Sequence, residues 1–122
     1  MATLNELETI FDRLKAIMQT VEGGLQVEAD APNQYSLNTH KTGPNQKPMF
    51  FGAAHLRQHD VSYYLMPVYA GPELLDTVSD ALKRRMQAKS RFNFKHAADA
   101  LFDELAALTR RGLEAFRAGE MA

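Results

Sequence analysis

Two apolar runs with a short polar link between them constrain the fold more than any other feature. The runs are PMFFGAAHL (48–56) and VSYYLMPVYA (61–70), joined by Arg57-Gln58-His59-Asp60. Each is apolar at consecutive rather than alternate positions, as expected of a strand buried on both faces. So short a link predicts a hairpin, which places the two strands side by side and antiparallel in the middle of a sheet.

The flanking segments read differently. LQVEAD (25–30) alternates Leu25, Val27 and Ala29 with Gln26, Glu28 and Asp30, the pattern of a strand with one face in water. QYSLNT (34–39) turns Tyr35, Leu37 and Thr39 inward, and Ala31-Pro32-Asn33 makes the turn between the two. HKTGPNQK (40–47) is a polar loop with a Gly-Pro break.

Helices bracket this sheet. Leu4, Leu7, Phe11, Leu14, Met18 and Val21 recur at steps of three and four, with Ile10 and Ile17 beside them. Thr3 and Glu6 have capping-box spacing, and Gly23-Gly24 is the expected stop. A long final helix buries Ala98, Leu101, Phe102, Leu105, Leu108 and Phe116, with Asp99, Asp103 and Glu104 early and Arg110 and Arg111 late, as the helix dipole favours. Between sheet and final helix, Gly71-Pro72-Glu73 opens a short helix over ELLDTV, Ser79 caps a second over DALKRRM, and SRFNFK is a short strand. The expected class is α+β: a single domain over residues 1–122, a two-layer sandwich with a mostly antiparallel sheet of about five strands packed against the N- and C-terminal helices.

Two helices cover one face of such a sheet. The other face would carry either Phe50, Gly52, Ala54 and Tyr64, or Met49, Phe51, Ala53 and Tyr63. Left open, it is a dimer interface or a ligand cleft; otherwise a loop or the short helices cover it.

Charge is segregated. LKRRMQAKSRFNFK (82–95) holds six Lys or Arg and no acid, so the other 108 residues carry −7 of the net −1. A local positive field survives in such a chain, although the total argues against nucleic acid as a partner. Lys83, Arg84, Arg85, Lys89, Arg91 and Lys95 are therefore candidates for an anion site, Arg as a planar fork and Lys as a point charge. Along a regular strand Lys89, Arg91, Asn93 and Lys95 share a face and Phe92 and Phe94 the other. The phenylalanines then belong to the core and LKRRM to a helix end, leaving the charges between them for an anion.

Other chemistry is poorly supplied. The chain has no cysteine, which excludes disulfides and thiolate ligands. Neither a leader-like N-terminus nor an apolar run of spanning length is present, so the expectation is a soluble cytoplasmic protein without a membrane partner. His55 and His59 flank a hairpin and do not converge, and His40 lies on another connection, so no metal set forms. Glu8 with Asp12, and Glu28 with Asp30, share faces that a hard cation would accept. Ser36, Ser62, Ser79 and Ser90 lie in no nucleophile motif.

Lys47 to Gly112 carries a resemblance. KPMFFGAAHLRQHDVSYYLMPVY, PELL, LKRRMQAKSRFNFK and LFDELAALTRRG resemble the YdhG-like family of small bacterial domains of unknown function, over a little more than half the chain. The resemblance implies a two-layer fold of antiparallel sheet and helices and brings no catalytic residues or cofactor. The plan is also similar to frataxin, which implies iron carriage as an alternative.

The sequence thus favours a non-enzymatic binding module without a cofactor. Phe51, Tyr63, Tyr64, Lys89 and Arg91 are the candidate ligand residues, and Arg84, Arg85 and Lys95 the anion-favouring ones. The expected partners are a second copy or another protein on an aromatic sheet face, or an anionic small molecule. An iron carrier using surface carboxylates and a small enzyme with an unrecognised site are the alternatives.

Overall fold

The computed structural model describes residues 3–39 and 49–121. The polar loop expected over 40–47, with His40, lies outside the described residues. The elements are α1 (Leu4–Gln19), β1 (Gln26–Ala31), β2 (Gln34–Asn38), β3 (Phe50–Leu56), β4 (Val61–Leu65), α2 (Met66–Ala70), α3 (Asp80–Lys83), β5 (Met86–Ala88), β6 (Arg91–Phe94) and α4 (Asp99–Met121), with 3-10 turns at Glu22–Gly24 and Pro72–Thr77. The strands form one sheet in the order β1-β2-β3-β4-β6-β5, antiparallel throughout.

The two apolar runs are the central pair, as their continuous hydrophobicity requires. The Arg57 N–H donates to the Asp60 carbonyl at 2.9 Å and closes the hairpin. Helices α1 and α4 pack on one face, giving the two-layer α+β sandwich. Leu7, Ile10, Phe11, Leu14, Leu105 and Leu108 are buried against Tyr35, Leu37, Val61, Tyr63, Leu65, Phe92 and Phe94. Helix α1 rests on bare backbone at Gly52: a Cβ there would lie 2.4 Å from Met18 Cε and 2.7 Å from the Tyr64 carbonyl oxygen. Among the described residues no helix is long and apolar enough to cross a membrane.

Local chemistry sets the boundaries. Thr3 Oγ1 accepts from the Glu6 N–H at 3.2 Å and starts α1, and Ser79 Oγ accepts from the Leu82 N–H at 3.2 Å and starts α3. Helix α1 ends earlier than its glycines suggest. Thr20 follows it, donating its hydroxyl to the Ile17 carbonyl at 2.6 Å, and Gly23-Gly24 falls in the 3-10 turn.

Four further expectations are corrected. VSYYLMPVYA is not one strand: β4 stops at Leu65, because Pro67 has no N–H for a ladder but suits the first turn of α2. ELLDTV is a 3-10 turn rather than an α-helix. DALKRRM is not helical to its end. Helix α3 stops at Lys83, and the Arg85 carbonyl accepts from the Asn93 N–H at 2.8 Å, which starts a sixth strand on the open edge of β6. In β1 the register slips between Val27 and Ala29, and Val27 is left 45% exposed instead of inward.

Candidate functional site

Strand β6 divides the molecule's chemistry. Phe92 and Phe94 point into the core, where the Phe94 ring meets Phe102 of α4 edge-on at 5.1 Å. Asn93 faces the other way, and Lys95 follows on that side. Beside it, Met86 of β5 stands opposite Phe92 and packs against the core, so the neighbouring Arg85 and Gln87 turn to the Asn93 side. The result is a cleft of about 360 Å³ lined by Asp60, Arg84, Arg85, Gln87, Asn93 and Lys95.

A ring of side chains fixes one wall of this cleft. Asn93 Nδ2 donates to Asp60 Oδ2 at 3.2 Å, and Ser62 Oγ donates to Asn93 Oδ1 at 3.0 Å. Arg57 Nη1 reaches Ser62 Oγ at 3.5 Å, and Arg57 Nε lies 3.3 Å from Asp60 Oδ1. That last contact is an ion pair without hydrogen-bond geometry, because Asp60 Oδ1 is buried and accepts no hydrogen bond. Arg57 therefore offsets the one carboxylate among the described residues that line the cleft. Arg84, Arg85 and Lys95 are exposed and form no ion pair among the described residues. Three unpaired cations on a fixed polar wall are suited to a phosphate or carboxylate.

A second cleft, about 460 Å³, lies on the other side of β5 and is lined by Val68, Tyr69, Pro72, Leu75, Met86 and Lys89. Lys89 is in the turn between β5 and β6, its ammonium 5.9 Å from the Tyr69 ring centroid. The turn breaks the strand alternation, so Lys89 does not join Arg84, Arg85 and Lys95.

The aromatic ligand face is corrected in part. Tyr63 is wholly buried on the helix side, its hydroxyl 2.6 Å from Thr109 Oγ1 of α4; burial holds its phenol well above the usual range, despite that hydrogen bond. Phe51 is wholly buried too. A bulge opposite Leu37 and Asn38 turns it toward the helices, where its ring meets Phe116 at 5.7 Å. Neither residue can line an open surface.

Tyr64 and Arg91 do lie on the face away from the helices, opposite each other across β4 and β6 and both half-buried. Tyr64 also meets the His55 ring at 5.1 Å. Burial, and then the charge of Arg57, lower the His55 pKa below its ordinary value. Arg91 Nε is buried without a hydrogen-bond partner among the described residues. This face is therefore a mixed polar and aromatic surface in which Ser36, Ala53 and Ser62 are already buried.

The β1 carboxylates of the iron alternative do not share a site. The β1 bulge separates Glu28, which accepts from Asn38 Nδ2 at 3.3 Å, from Asp30, which pairs with Lys15 of α1 at 2.8 Å. No group of three or more His, Asp or Glu side chains placed to hold a metal occurs among the described residues.

Sequence reasoning missed Asp60, Gln87, Ser62 and Arg57 as parts of the site. Arg57 and Asp60 at i, i+3 around a hairpin turn were a usable signal; the Asp60–Asn93 contact spans 33 residues and had none. No family model, curated protein or solved structure matches the chain.

Proposed function

We propose that the protein is a YdhG-like, non-enzymatic binding module that holds an anionic group, phosphate or carboxylate, in the cleft of Arg84, Arg85 and Lys95. The observation that carries this reading is the convergence on one cleft of three cations that form no ion pair among the described residues, beside a carboxylate, Asp60, already paired with Arg57. Gln87 and Asn93 add neutral polar groups to the lining. Exposed cations bind weakly one by one, and a multivalent anion that engages all three gains from their shared position.

The test is thermal stability against inorganic pyrophosphate at low and moderate salt. A ligand that binds only the folded state raises the melting temperature by mass action. The expected result is a rise that shrinks with salt and disappears in Arg84→Ala/Arg85→Ala. A rise of equal size in that variant removes the site from this cleft.

A further inference from the structure

Strand β5 is the edge strand of the sheet opposite β1, and the two clefts lie on its two sides. The Arg85 carbonyl points inward, accepting from the Asn93 N–H at 2.8 Å. In a planar trans peptide the carbonyl and the following N–H point opposite ways, so the Met86 N–H is aimed away from β6, at the free edge. Its carbonyl shares that direction, because backbone bonding in an antiparallel strand alternates from residue to residue. An extended chain laid along this edge continues the sheet. Its side chains then alternate between the apolar cleft of Val68, Pro72 and Leu75 and the cationic cleft of Arg84, Arg85 and Lys95.

We propose that the anionic group is carried by an extended peptide of alternating acidic and apolar residues, which adds to the sheet edge at β5. This proposal rests on the anion-binding reading of the cationic cleft and names its partner. Charge complementarity selects the occupant. Positive residues at an edge repel basic strands, would be left desolvated and unpaired beneath neutral ones, and admit a strand whose acids meet them. The shortness of β5, Met86–Ala88, limits pairing to a few backbone bonds, so specificity falls to the two clefts.

The experiment titrates the full chain with three capped peptides by calorimetry, beside inorganic pyrophosphate. The first alternates Glu and Val over seven positions, the second has the same composition in two blocks, and the third is the first with its central amide N-methylated. The alternating peptide should bind, compete with pyrophosphate and weaken as salt rises. The block and N-methylated peptides should each bind about tenfold more weakly, the effect of one lost backbone hydrogen bond or one misplaced set of side chains.

Met86→Pro removes the outward N–H on the protein side together with the Met86 side chain, and Met86→Ala, which removes the side chain alone, is the reference for it. Against that reference Met86→Pro should keep pyrophosphate binding and lose about tenfold in peptide affinity. Pyrophosphate binding with three equal peptides, or with none bound, overturns the peptide proposal and leaves the anion cleft standing. Failure of pyrophosphate and peptides alike overturns both. Self-association through the β5 edge that excludes the alternating peptide makes a second copy the occupant and also overturns the proposal.

Discussion

Consecutive residues of β6 face opposite demands. Phe92 and Phe94 are wholly buried among the helices, while Asn93 and the following Lys95 line a cleft open to solvent. On the first side, shape and apolar area decide the outcome, and every neighbour is fixed. On the second, the fixed part is a ring of Asp60, Asn93, Ser62 and Arg57, and the cations around it form no ion pair among the described residues. On the proposed anion-binding reading the contrast separates stability from binding: substitutions on the core side should register in unfolding, and those on the cleft side in ligand affinity.

The largest effect should come from Phe92→Ala, which opens a cavity under the sheet and should cost about 3–5 kcal/mol in urea unfolding. Next, Gly52→Ala forces a Cβ toward the Tyr64 carbonyl, which cannot yield as a side chain can, and should cost about 1–3 kcal/mol by the same measurement. Tyr63→Phe leaves buried Thr109 without its tyrosine partner and should cost about 1–2 kcal/mol. Against these, Arg84→Ala/Arg85→Ala should change unfolding by no more than about 0.5 kcal/mol per site while abolishing pyrophosphate stabilisation. A large stability loss in that variant would break the division between the two sides.

The smallest effect concerns pH. The folded pKa of His55 lies below the ordinary histidine value of 6.5, so the unfolded chain takes up its proton first. Its contribution to stability is full above pH 6.5 and is lost as pH falls through the lower folded value. His55→Gln should therefore flatten the acid limb of melting temperature against pH, beginning just below 6.5. An unchanged slope would show that His55 is as accessible to protons in the folded protein as in the unfolded one.

Much of the fold was legible because its determinants are local. Continuous apolar runs placed β3 and β4 at the centre, the Thr3 and Ser79 caps started their helices where expected, and alternation put Phe92 and Phe94 in the core. What escaped was non-local. Strand β5 is three residues long and exists because β6 offered an unpaired edge, a condition invisible in the sequence around Met86. The bulge that turns Phe51 inward depends on the register of β2 against β3, and no apolar run fixes a register. The same reason moved Tyr63 from an expected open face to the core and left Tyr64 outside. Of the candidate anion residues, Arg84, Arg85 and Lys95 meet in one cleft, whereas the turn after β5 carries Lys89 to another.

The most direct test is a titration of the isotope-labelled protein with inorganic pyrophosphate, followed amide by amide in heteronuclear spectra. Shifts confined to Arg84, Arg85, Gln87, Asn93, Lys95 and their immediate neighbours are the predicted result. Shifts centred instead on Phe50, His55 and Tyr64, or no shifts at low salt, would contradict the assignment of anion binding to this cleft.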